Sequence, residues 1–197
     1  MTPGSEHLEE GPSVYSESPI ARVFAPIYGK MCWQGSRDGT YLTFEFGDPH
    51  VEVREAKERL YAPSPKVRFR AVGREAVVRG DWHLWIQDCA WAILANGKRL
   101  AHSTSTVTRV DEALRVLNGQ ALTRFTVNAE DARARFEFDL GGALETRPID
   151  RTGDQWWLFE PSGYVLELRA DGKYRHVPAD IALPEHEQWI SLMAPEA

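Results

Sequence analysis

A chain of 197 residues, 43% aliphatic, aromatic or cysteine and 26% charged, has an ordinary globular composition and enough apolar material for a core without staples. Its formal net charge of −6 argues against nucleic acid or an anionic membrane as partner. No apolar run reaches the ~18 residues that span a bilayer, the start MTPGSEHLEEGPS lacks the basic and apolar parts of a secretory leader, and Cys32 and Cys89 match no zinc or redox spacing and read as buried thiols, so a cytoplasmic protein is expected.

Residues 1–18 carry four Glu and no Lys or Arg, which predicts a disordered acidic tail ahead of one globular domain over 19–193. Ser18 to Ala25 suits a short helix with Ser18 as cap and Pro19 first. Met31–Gln34 and Tyr41–Phe46 flank Asp38-Gly39 as a hairpin. In its second strand Leu42, Phe44 and Phe46 share one face and Tyr41, Thr43 and Glu45 the other. Val51–Glu55 resumes the strand pattern after Gly47-Asp48-Pro49. Trp82 and Leu84 alternate with His83 and Trp85, which places one Trp in the core and one on the opposite face. Trp91–Leu94 and Arg99–His102 flank Asn96-Gly97, the favoured pair for a type I′ turn. Val110–Leu117 has helical spacing, with Thr108 or Asp111 to cap it and Asn118-Gly119 to stop it. Two further hairpins follow, Arg135–Leu140 with Leu144–Arg147 and Tyr164–Leu168 with Tyr174–Val177. The adjacent Trp156 and Trp157 must point to opposite sides of a strand, and Asp180–Leu192 is assigned another short helix.

The two halves resemble each other. Phe44-Glu45-Phe46 matches Phe136-Glu137-Phe138, Gly29-Lys30 matches Gly119-Gln120, and Val51–Arg54 is set over Leu144–Arg147. Trp82 is set over Trp156, and Asn96-Gly97 over Asp171-Gly172. The first copy then carries an insert at about 57–80. These landmarks define repeat A at about 27–107, a linking helix at 110–117, repeat B at about 119–177 and a C-terminal segment at 178–193. The predicted fold is mainly β, on the border of α+β: an antiparallel β-sandwich or partly open barrel of two pseudo-twofold-related hairpin repeats joined by one short helix.

Candidate ligand-binding residues come from that symmetry and from charge. If the Phe side chains face the core, Glu45 and Glu137 face solvent or a groove, where two carboxylates that met could split their pKa values for acid/base work. A solvated strand face pairing with arginines is the competing reading. Residues 54–80 hold eight Lys/Arg against three Glu, and Arg68 and Arg70 share one strand face suited to a carboxylate or phosphate, or to the acidic remainder of the same protein. His83, Asp88, Cys89 and His102 cluster in sequence but match no zinc-ligand spacing, so no metal or cofactor is expected. There is no nucleophile elbow and no phosphate loop, and no catalytic residue is assigned. The expected function is therefore a non-enzymatic, bacterial-type protein-binding module, in one version an acidic inhibitor or neutralising protein steered to a basic partner. The alternatives are a small-molecule binder or enzyme with a groove between the repeats, and a homo-oligomeric structural protein.

Overall fold

The structure, a computed structural model, describes residues 19–55, 73–180 and 189–193. The predicted acidic tail, Arg68 and Arg70, and most of the insert lie outside the described residues. A short helix α1 (Pro19–Phe24) runs into a 3-10 turn at Ala25–Ile27. Strands β1 (Cys32–Asp38) and β2 (Tyr41–Phe46) form the first hairpin, followed by β3 (His50–Arg54), β4 (Glu75–Arg79), β5 (Trp82–Ile86), β6 (Cys89–Ala95) and β7 (Lys98–His102). Helix α2 (Val107–Leu117) precedes β8 (Leu122–Val127), β9 (Ala134–Phe138), β10 (Gly142–Pro148), β11 (Asp154–Phe159), β12 (Tyr164–Arg169), β13 (Lys173–Pro178) and β14 (Ile190–Ser191).

The protein is mainly β, and the described strands pair antiparallel in three sheets. A seven-stranded sheet runs β1-β2-β5-β11-β12-β13-β14, a five-stranded sheet runs β7-β6-β10-β9-β8, and β3 and β4 pair by themselves. The alternation read from sequence explains which faces meet. Leu42, Phe44 and Phe46 of β2 and Phe136 and Phe138 of β9 all enter one apolar cluster. Phe46 and Phe138 stack across it with ring centroids 6.4 Å apart. Trp156, with no exposed surface, meets Phe24, Phe125 and Phe136 edge-on at 5.9, 5.5 and 6.0 Å. Each such ring contributes about 2–3 kcal/mol of transfer free energy relative to exposure.

Both helices bury one stripe. In α2 it is Val110, Ala113, Leu114 and Leu117; in α1 and its 3-10 extension it is Ile20, Val23, Phe24 and Ile27. Each stripe has the i, i+3, i+4, i+7 spacing of an amphipathic helix, and each is followed by a glycine at positive φ, Gly29 at 82° and Gly119 at 85°, which ends it. α2 starts one turn earlier than its sequence pattern predicts. Its N-cap is Thr106, whose side chain makes no cap hydrogen bond, so neither Thr108 nor Asp111 serves as the cap. At the C-terminus, residues 190–191 pair with β13 as strand and not helix. No helix among the described residues is long and apolar enough to cross a membrane.

The segments after the two glycines meet at an isolated antiparallel bridge, Met31 to Ala121. Gly29 N–H donates to Leu122 O at 2.8 Å, and Gly119 N–H donates to Cys32 O at 2.7 Å. Leu122 N–H donates to Lys30 O at 3.0 Å, and Cys32 N–H to Gln120 O at 2.8 Å. Exchanging residues 29–32 with 119–122 turns each pair of bonds into its mate.

Candidate functional site

Glu45 lies on the face of the seven-stranded sheet turned away from the core, since Phe44 and Phe46 on either side are buried in it. It is nonetheless only 2% exposed. Arg79, at the end of β4, and Gly80 close over it. Arg79 Nη1 donates at 2.6 Å, Gly80 N–H at 3.0 Å, and His83 Nδ1 lies 2.9 Å away. Burial alone would push the Glu45 carboxyl up; the bonds from His83, Gly80 and Arg79 outweigh it and hold the group below the usual carboxylate range. His83 in turn lies beside Phe159, at the start of an aromatic run over Trp157, Trp85 and Tyr41 with neighbouring centroids 5.7 to 6.2 Å apart.

Glu137 has different surroundings. It points away from the core on the five-stranded sheet and is about a third exposed. Arg135 Nε donates to it at 2.7 Å, and the same guanidinium bonds Glu145. Glu45 and Glu137 therefore sit on the outward faces of different sheets, with the Phe46–Phe138 stack between them. They do not converge, and no groove between them is lined by both. The reading of a strand-face carboxylate paired with arginine describes Glu137; Glu45 has the arginine but not the solvent.

Two further carboxylates lie at the far end of the seven-stranded sheet. Glu167 is 4% exposed and accepts from Arg175 Nε at 2.8 Å. Burial raises its pKa, and Arg175 offsets this in part. Burial raises Asp154 as well, against Arg175, Trp157 and Arg169. The Arg169 and Arg175 guanidiniums both lie over the Trp189 ring, each 4.5 Å from its centroid. From β2 to β12 is three strand spacings, about 14 Å. That exceeds the ~9.5 Å upper separation of the carboxylate pair in glycoside hydrolysis.

A large concavity lies elsewhere, over the five-stranded sheet, with a volume of about 1380 Å³. Its floor includes Ala90 and Ala92 of β6, which alternate with the buried Trp91. Across the sheet at Ala92 the register reads His102, Ala92, Glu145, Arg135, Thr126. One step along it reads Arg99, Leu94, Ala143, Glu137, Arg124, with an arginine at each edge. Five arginines and two glutamates line the groove, a local excess of +3 in a chain of −6. Arg135 and Arg133 are held by acids. Arg99, Arg124 and Arg147 are exposed, line the groove, and have no acidic partner among the described residues. Sequence reasoning missed these three. The usable signal was the alternation Ala90-Trp91-Ala92, which puts small side chains on the face opposite a large core residue.

His83 and His102 belong to different sheets, and no group of three or more metal-binding side chains is found among the described residues. Compared with protein-family models, with curated proteins and with solved structures, the chain finds no significant match in any of the three.

Proposed function

We propose that the protein is a binding module whose site is the groove over the five-stranded sheet, and that the groove takes an anionic ligand. The observation that carries this is the set of three guanidiniums without an acidic partner among the described residues, Arg99, Arg124 and Arg147, around a trough floored by alanines. An unpaired arginine keeps its charge at every physiological pH and offers a planar fork of donors to carboxylate or phosphate. It is a poor proton-transfer group, so such a lining suits binding better than catalysis. His102, which also lines the groove, has its Nδ1 3.0 Å from Thr104 Oγ1.

The reason for a groove here follows from a second reading, that the two large sheets form an open sandwich of related halves. Sheet neighbours exchange if β1, β2, β5, β6 and β7 are laid over β8, β9, β10, β11 and β12. Cys32 opposite Phe46 then falls on Leu122 opposite Phe138, and Phe44 opposite Leu84 on Phe136 opposite Leu144. The helices are included: Ile20, Val23, Phe24 and Ile27 lie 90 positions before Val110, Ala113, Leu114 and Leu117. On this reading the units are 19–102 and 107–178, and α2 heads the second unit instead of linking two. β3 and β4 are the insert. The counterpart of Trp156 is Trp91, not Trp82, because Trp156 pairs with Ile86 as Trp91 pairs with Thr146. Likewise Ala92, opposite Glu145, corresponds to Trp157, opposite Trp85. The groove is the space that an indole fills in the other half.

The test is thermal stabilisation by citrate, pyrophosphate and hexaglutamate at low salt. At least one should raise the melting temperature, and salt should reverse it. The combined variant Arg99→Gln, Arg124→Gln, Arg147→Gln should lose the response. No response to any of the three, or an equal response in the variant, rejects the groove as an anion site.

A further inference from the structure

Resting on the groove as an anion site, we infer that its occupant is an extended acidic segment of another protein, not a compact phosphate or carboxylate metabolite. The spacing of the charges decides between them. Arg99 and Arg124 stand on β7 and β8, the two edges of the five-stranded sheet, four strand spacings apart. At ~4.8 Å each that is about 19 Å, the reach of roughly six extended residues. A single phosphate cannot touch both. The arginines are dispersed over separate strands, whereas a compact anion is held by donors that converge.

Two more observations point the same way. The groove volume of about 1380 Å³ exceeds the ~300–1,000 Å³ usual for small-molecule pockets. Glu145 and the Arg135–Glu137 pair lie between the unpaired arginines and offer acceptors beside donors. Such an alternation suits backbone amides and carboxylates in one ligand and opposes a uniformly charged polyphosphate. Of the three rings lining the groove, Trp91 and Phe125 are only 3% and 9% exposed, and His102 alone is more open. Trp91 and Phe125 offer no platform for a nucleobase, and one imidazole cannot stack successive bases, which separates this groove from a single-stranded nucleic-acid site.

The experiment uses the full chain and dye-labelled hexaglutamate, with diglutamate, pyrophosphate and oligo-dT as competitors. Hexaglutamate should bind at low salt, and diglutamate and pyrophosphate should compete at least ~10-fold more weakly, since each reaches one edge only. Arg99→Gln and Arg124→Gln should each weaken hexaglutamate roughly 3-fold, and diglutamate less. Ala92→Trp places in the trough the side chain that the other half carries at Trp157; it should weaken hexaglutamate about 10-fold or more while circular dichroism stays native. Should Ala92→Trp misfold, the two exposed arginine variants carry the test alone. Pyrophosphate or diglutamate binding as tightly as hexaglutamate overturns the extended segment and leaves the anion site standing. Oligo-dT outcompeting hexaglutamate overturns the protein ligand. Binding of none of the probes overturns both.

Discussion

Replacing Glu45 by Gln tests whether two glutamates in the same local sequence have the different environments described above. Glu45 is 2% exposed and is met by Arg79, Gly80 N–H and His83 at 2.6 to 3.0 Å. Breaking a buried ion pair by removing one partner costs about 3–5 kcal/mol. Two features reduce that figure here. The Arg79 side chain is a quarter exposed and has Glu52 at 3.6 Å to fall back on, and Gln can still accept one hydrogen bond. The expected loss is about 3 kcal/mol, against about 0.5 kcal/mol for Glu137→Gln, whose partner Arg135 keeps Glu145 and lies in solvent. Urea unfolding at pH 7, with unchanged m-values as the check on two-state behaviour, reads the difference. The sign of the pH dependence follows from the lowered pKa of Glu45. A carboxyl whose folded pKa lies below its unfolded value of ~4.3 contributes fully above that value and loses the contribution as pH falls through the folded one. The gap between the native chain and Glu45→Gln should therefore hold down to about pH 5 and close in stronger acid. Equal costs for the two substitutions, or a gap that widens in acid, would refute the reasoning.

Three other outcomes are expected. In Gly80→Ala the new Cβ would lie 2.5 Å from Phe46 O and 2.8 Å from Phe46 N, backbone that cannot move aside; the loss should exceed ~2 kcal/mol, and native stability would show that the β4–β5 corner is looser than described. Cys32 and Cys89 are both free and buried, and burial pushes the Cys89 thiol up to about 12, so a disulfide-exchange reagent at pH 8 should titrate two thiols in urea and almost none in the native chain; rapid native reaction would contradict their burial. A chain starting at residue 19 lacks four glutamates tethered next to Ile20 and Ala21, which line the groove, and should bind added hexaglutamate a few-fold tighter; unchanged affinity would show that those charges do not reach the groove.

Much of the architecture was legible because its determinants are local. The alternation in Leu42–Phe46 and Arg135–Phe138 fixes which side chains enter the core, and Asn96 at φ 48° with Gly97 at φ 74° is the turn those residues prefer. The likeness of Gly29-Lys30 to Gly119-Gln120 marks a point where the chain meets itself, though nothing in the sequence says that these segments bond to each other. What was not legible depends on partners distant in sequence. Glu45 and Glu137 look alike in sequence, yet only Glu45 has Arg79 and Gly80 folded over it, from 34 and 35 residues away. Trp82 and Trp156 were matched by residue type, but hairpin spacing does not reveal strand partners: Trp82 stands opposite Phe46, and Trp156 opposite Ile86. The groove was invisible for the same reason: three arginines on β7, β8 and β10 come together only through strand order.

The strand order also bears on how the chain is held together. Residues 19–102 give β1, β2 and β5 to the larger sheet and β6 and β7 to the smaller, while residues 107–178 give β8, β9 and β10 to the smaller and β11, β12 and β13 to the larger. Neither stretch owns either of the two large sheets whole, so a backbone nicked between His102 and Val107 would leave two pieces clasped by hydrogen bonds on both sides of the core. Such pieces should copurify, and once separated each would present raw apolar strand faces that only the other can cover.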